Sequence, residues 1–268
     1  MENVAHGGAQ AVHHHEVELS IWPLIVGIGA FLVPISFMVH FSWEAPSTFA
    51  LLGAGVAVVL LLVGLFGWVN EVHAKKEEVG LSKVAIVVFI ISEVALFGGL
   101  FGGYFYTMLL SPSWPPVSTP EGVPPIELAL LLTFFLVTSS AWMHMAETKL
   151  EHGDMGGFKT WLSVTFLFGL AFLVGMAYEW NHLIGDGFNI SVNTYGTFFY
   201  TITGFHGSHV IVGLALQAFL MILALGGKIS KKKQTLTKVT GLYWHFVDIV
   251  WLLVLSMIYV IPYFKVGQ

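Results

Sequence analysis

Long apolar runs alternate with short polar breaks along this chain, and seven runs stand out, at about 21–41, 47–69, 83–110, 126–146, 160–183, 194–225 and 238–264. Crossing about 30 Å of hydrocarbon takes about 20 helical residues, so each run predicts one transmembrane helix. The third, sixth and seventh are long enough to tilt. Residues 1–20 are polar, acidic and rich in His, with no Lys or Arg, which does not fit a signal peptide leading into the first run. There is no internal repeat and no separate soluble domain. The pattern predicts an all-α bundle behind a polar tail.

Composition moves in the same direction. The chain is 56% hydrophobic and only 10% charged, whereas a soluble domain carries about a quarter of its residues as charges. The net charge of −5, carried with 11 Lys and no Arg, argues against nucleic acid as a partner. The absence of cysteine excludes disulfide frameworks, thiolate metal sites and covalent haem attachment.

The lysines test the count of spans. With the N-terminus in the cytoplasm, the cytoplasmic loops follow the second, fourth and sixth runs. Those loops and their flanks hold Lys75, Lys76, Lys83, Lys149, Lys159, Lys228, Lys231, Lys232, Lys233 and Lys238, ten of the eleven; only Lys265 falls on the other side. This is the positive-inside bias. Eight of the nine tryptophans, Trp244 among them, fall near span ends, where an amphipathic ring favours the headgroup region; Trp251 lies deeper.

Polar groups inside the membrane are costly and mark candidate sites. Glu93 lies ten residues past Lys83, about 15 Å deep at about 1.5 Å per residue. At that depth it is expected to be protonated or tightly paired, either as a hydrogen bond to a neighbouring helix or as a proton-exchanging or lipid-contacting group. His206 and His209 are three apart and share a face in the sixth run. They are read either as metal or haem ligands or as neutral hydrogen-bonding residues between helices. His245 and Asp248 repeat the spacing in the seventh run, where a His capped by a carboxylate makes a packing pair and Asp248 serves a buried His or Trp. Gly98, Gly99, Gly102 and Gly103 form overlapping small-xxx-small pairs that predict close helix packing beside Glu93. His13, His14 and His15 read as part of a solvated tail.

Four blocks, FIISEVALFGG (89–99), WPP (114–116), GTFFYTITGFHGSHVIVG (196–213) and YWHFVDIVW (243–251), resemble subunit III of the haem–copper oxidases of the cytochrome c oxidase type. The resemblance runs over nearly the whole chain from the WPL at 22–24. It implies seven transmembrane helices, with two (21–69) splayed from five (83–264) around a V-shaped, phospholipid-filled cleft. It further implies a chain that binds no haem or copper of its own, since these belong to partner subunits. The implied role is to contact catalytic subunit I directly, alongside subunit II, stabilising it and supporting proton uptake in the inner or cytoplasmic membrane of a respiring cell. Glu93 then falls on the family's carbodiimide-reactive carboxyl, and His206, His209, His245 and Asp248 on structural motif positions.

The chain departs from that pattern in places. The segment NEVHAKKEEVGLSK (70–83) replaces a longer family loop, leaving Trp68, Glu71 and His73 as candidate lipid contacts. Lys228, Lys231 and Lys232 stand where an Arg often meets a headgroup, and an ammonium meets phosphate as a point charge without a bidentate fork. Glu179 and Trp180 resemble the family's outer acidic–aromatic pair, with Met176 where Gln is common. Two rivals follow from the same residues. One is subunit III of a quinol-oxidising relative; the other is a stand-alone haem- or metal-binding membrane enzyme using His206 and His209.

Overall fold

The computed structural model describes residues 20–42, 47–74, 81–230 and 234–265. Every regular element in them is helical, and they fall into two compact units, Met1–Val79 and Gly80–Gln268.

The first unit is a helical hairpin of α1 (Trp22–Ser42) and α2 (Ser47–Ala74). Its seam is built from small residues. Gly29 abuts Leu61 and Ala57, while Gly53, Gly64 and Gly67 abut Ser36, Val26 and the Trp22 ring, a register that falls on one helix as it rises on the other. Lipid tails supply no hydrophobic drive between helices, so close van der Waals approach at such residues holds the pair. At its open end Ser20 donates to Glu71 Oε2 at 2.6 Å.

The second unit holds α3 (Leu81–Leu110), α4 (Ile126–Glu151), α5 (Met155–Gly185), α6 (Thr194–Leu225) and α7 (Thr235–Val254), which runs through a π-helical turn (Leu255–Val260) into the short α8 (Ile261–Lys265). Five stretches of this unit are long and apolar enough to cross a membrane: Ile86–Leu110, Ile126–Glu151, Met155–Gly185, Thr194–Leu225 and Thr235–Phe264. In the first unit the described apolar stretches are shorter, Trp22–Val33 and Thr48–Gly64.

Turn chemistry sets the connections. The α4–α5 hairpin turns on Gly153 (φ 82°), a left-handed backbone position that favours glycine. Asp154 then caps α5, accepting from Gly157 N–H at 2.8 Å, and Asn193 caps α6 the same way, accepting from Gly196 N–H at 2.8 Å.

α7 is central, in contact with α3, α4 and α6. Its two large indoles are both fully buried and both donate to α4 hydroxyls, Trp244 Nε1 to Ser139 at 3.0 Å and Trp251 Nε1 to Thr133 at 2.9 Å. Trp244 therefore belongs to the core and not to a headgroup belt, because Gly169 of α5 and Gly213 of α6 leave room for its ring.

The π turn has a sequence cause. Pro262 has no N–H, so neither the i+4 bond from Ile258 nor the i+5 bond from Met257 can form there. Tyrosine hydroxyls take both carbonyls instead: Tyr104 donates to Met257 O at 2.7 Å and Tyr195 to Ile258 O at 2.8 Å. α3 and α6 are thereby tied to the end of α7.

The glycines of α3 depart from expectation. Among the described residues, a Cβ built on Gly98, Gly99 or Gly102 meets nothing within 4 Å, and only Gly103 approaches a neighbour, the Phe198 ring at 3.4 Å. α3 buries a different stripe, Phe97, Tyr104 and Met108, at the i, i+7, i+11 spacing of one helix face. The bulky residues, not the glycines, make its contact with α6 and α7.

Candidate functional site

Glu93 of α3 and His209 of α6, 116 positions apart in sequence, meet with His209 Nε2 3.0 Å from Glu93 Oε2. Their side chains are 12% and 11% exposed. His209 lies fifteen residues after Thr194 and sixteen before Leu225, midway along α6. The other ring nitrogen, Nδ1, is 2.8 Å from the carbonyl oxygen of Phe205 one turn back.

That second contact fixes the tautomer. A carbonyl can only accept, so Nδ1 carries a hydrogen, and neutral His209 then offers Nε2 as an acceptor. The bond between Nε2 and Oε2 needs one proton, supplied either by a carboxylic acid or by an imidazolium. Both arrangements are neutral overall, which meets the requirement that charge inside a membrane be paired.

Rings enclose the imidazole. Phe205 and Phe97 lie 4.8 and 5.3 Å from it, centroid to centroid, and Tyr243 stacks at 6.5 Å while donating its hydroxyl to the His209 carbonyl at 3.2 Å. Tyr243 and Phe205 were not singled out from the sequence. Both lie in the quoted motifs, and Phe205 is the i−4 neighbour whose carbonyl a helical His reaches.

His206 does not join this pair. Its ring is fully buried between Phe172 at 5.7 Å and Trp251 at 5.1 Å. Neither ring nitrogen has a hydrogen-bond partner among the described residues. Nor does His245 pair with Asp248: its Nδ1 lies 2.6 Å from Ser140 Oγ of α4, and the same serine hydrogen-bonds Asp248. Asp248 Oδ1 has no partner among the described residues; of the buried His or Trp that Asp248 was expected to serve, the indoles of Trp244 and Trp251 are held by Ser139 and Thr133. For the tryptophans, hydroxyls of α4 take the part assigned to that carboxylate, and Ser140 of α4 stands between His245 and Asp248.

Glu179 is 1% exposed and accepts from Tyr259 of the π turn at 2.9 Å. Its neighbour Trp180 packs instead edge-on to Tyr200, with 5.1 Å between centroids. The other residues divide between described and undescribed positions. Glu71 is held by Ser20 in the first unit, and Lys228 is exposed beyond the end of α6. The side chains of Trp68 and His73, and residues Lys231, Lys232, His13, His14 and His15, lie outside the described residues. Among the described residues, no three His, Cys, Asp or Glu side chains are grouped as a metal site would need.

Comparison with known proteins places this geometry in a family. A family model described as cytochrome c oxidase subunit III matches residues 12–263. The probable cytochrome c oxidase subunit 3 of Mycobacterium tuberculosis is 39% identical over 197 residues, covering 72% of this chain and 93% of that protein. The cytochrome c oxidase subunit 3 of Synechocystis is 34% identical over 195 residues, covering 72% of this chain and 81% of that one. The subunit 3 of Allomyces macrogynus is 28% identical over 260 residues, covering 92% of each. The buried carboxyl on α3 and the aromatic-walled histidines on α6 thus sit in a chain that belongs to the cytochrome c oxidase subunit III family of membrane proteins.

Proposed function

We propose that this chain is the non-redox subunit III of a proton-pumping cytochrome c oxidase, spanning the membrane seven times with its N-terminus on the cytoplasmic side. In that role it stabilises catalytic subunit I by direct contact, stands in one complex with subunit II, and supports proton uptake with phospholipid bound at its surface. The carrying observation is the Glu93–His209 pair, two titratable groups at mid-height of α6 that share one hydrogen bond. Such a pair exchanges a proton without changing its net charge, so any charge that forms is paired at once and is not buried alone.

The histidines favour a non-redox role. Both nitrogens of His209 are committed, one to a carbonyl and one to a carboxyl. His206 is fully buried, with the rings of Phe172 and Trp251 packed against its imidazole. The cytoplasmic lysines favour the orientation, and the exposed Lys228 offers a phosphate contact.

Purification in mild detergent tests the reading. A catalytic subunit bearing haem and copper and a copper-bearing subunit II are expected to accompany the chain, and the separated chain is expected to show no haem spectrum. A partner set without a copper-bearing subunit II moves the electron donor to quinol. Stoichiometric haem or metal on the separated chain overturns the proposal.

A further inference from the structure

At the lysine-rich end of the second unit, the ends of α3, α4 and α7 leave an open cavity of about 430 Å³, within the size range of small-ligand pockets, about 300–1,000 Å³. Its walls are mostly aliphatic, from Ile86, Val87, Val239 and Leu242, and its polar groups are Glu147, Glu151, Lys238 and His245. These charges do not balance. Lys238 Nζ is 2.9 Å from Glu151 Oε1, and Glu151 also has His144 and His152 within electrostatic reach. Glu147, half-buried, has no hydrogen-bond or ion-pair partner among the described residues; the Lys238 that acts on it electrostatically is already engaged by Glu151. Its carboxylate lies over the backbone of Gly241, where any Cβ would collide with it. His245 cannot turn both nitrogens to the acid, because Nδ1 is held by Ser140 at 2.6 Å.

We propose that this cavity binds the headgroup of an aminophospholipid of the phosphatidylethanolamine class. The primary ammonium meets Glu147, the phosphate faces Lys238, and the acyl chains leave along Ile86, Val87 and Leu242. Charge complementarity selects this occupant. A carboxylate unmatched among the described residues, in an aliphatic-walled recess near a membrane surface, calls for a cation that carries its own apolar body. An ammonium with N–H groups makes a charge-assisted hydrogen bond to the carboxylate. A choline headgroup lacks that donor, and a glycerol headgroup lacks the charge. The site uses none of the lysines in the loop between α6 and α7. The inference rests on the reading of the chain as a phospholipid-carrying membrane subunit and adds a location and a headgroup to it.

The test is native mass spectrometry of the purified complex after exchange into vesicles holding equal parts of ethanolamine, glycerol and choline phospholipids. The wild-type chain is expected to retain the ethanolamine lipid preferentially. Glu147→Gln, nearly isosteric and uncharged, is expected to lower that retention on the order of tenfold, the scale of one charge-assisted hydrogen bond, with the other headgroups unchanged. Glu147→Asp, which keeps the charge but draws it back, should fall between the two and serves if the Gln variant fails to assemble. Equal retention of all three headgroups by wild type, or undiminished ethanolamine lipid on Glu147→Gln, overturns this inference and leaves the general phospholipid reading standing. No retained phospholipid on wild type sinks both. Loss of a neighbouring subunit from Glu147→Gln without change in lipid would assign the carboxylate to a protein cation and would equally overturn the inference.

Discussion

Two of the carboxyls deep in the five-helix unit, Glu93 and Glu179, are treated differently. Glu93 faces a basic ring nitrogen at 3.0 Å and keeps a little exposure. Glu179 faces a phenol at 2.9 Å and is closed off from solvent. A phenol donates one hydrogen bond and holds its proton at neutral pH, so Glu179 has a partner but no proton acceptor there. An imidazole can take the proton outright. The two carboxyls therefore differ in the partner each faces and in the exposure each keeps.

The sharpest way to break that comparison is covalent labelling with a hydrophobic carbodiimide, which needs an accessible, protonated carboxyl. Wild type and Glu179→Gln are expected to label alike, and Glu93→Gln to lose the modification entirely, as read by peptide mass spectrometry. Persistent labelling of Glu93→Gln, or loss in Glu179→Gln, would reverse the assignment.

Next in size is Tyr259→Phe. It strips the one hydrogen bond from the enclosed Glu179 and should lower stability by about 1–3 kcal/mol, the penalty for orphaning a buried polar group. Thermal unfolding of the purified complex measures this, and labelling at Glu93 should not change. Equal stability would mean that the hydroxyl does not hold the carboxyl. Gly213→Val should cost a similar amount, about 1–3 kcal/mol, by driving a side chain into the Trp244 ring.

His209→Phe should act more gently on the other carboxyl. Without Nε2 the proton stays on Glu93, so carbodiimide labelling is expected to rise about two- to tenfold, the scale of one net hydrogen bond. The carboxylic C=O stretch in the infrared should move to higher wavenumber as its hydrogen bond is lost. Unchanged rate and unchanged band together would show that His209 does not hold the proton of Glu93.

How much of this was legible beforehand follows from the distance over which each feature is encoded. The helices are local, since an unbroken apolar run needs no partner to be read, and the scarcity of charge made Glu93 conspicuous. Its partner was not legible as such. His209 was paired with His206 because three residues separate them, whereas the contact that matters spans 116 positions and depends on how α3 and α6 face each other. The same blindness assigned helix packing to Gly98, Gly99 and Gly102 and left Asp248 to serve either a buried His or a Trp. Spacing alone cannot tell which face of a buried helix meets which neighbour. Tyr195 was missed although a local signal was present, since Pro262 necessarily frees the Ile258 carbonyl four residues earlier and something must cap it, as the Tyr195 hydroxyl does at 2.8 Å.

Asp154 offers the smallest and most local contrast with the two buried acids, since it is exposed and its partners are within five residues. The Gly157 amide, at 2.8 Å, and then Lys149, at 3.3 Å, hold its carboxyl below the usual aspartate range. A folded pKa below the unfolded one stabilises above the unfolded value, about 3.9, and that stabilisation is lost as pH falls through the lowered one. Hydrogen exchange at the Gly157 amide, compared between wild type and Asp154→Asn, should differ most above about pH 4 and converge below it, because an uncharged Asn keeps a cap but not the charge. Convergence at neutral pH instead would mean that the cap acts through its geometry alone, with its charge irrelevant. An exposed cap such as Asp154 changes protonation state against water, whereas at Glu93 the group within hydrogen-bond reach is His209 Nε2 at 3.0 Å.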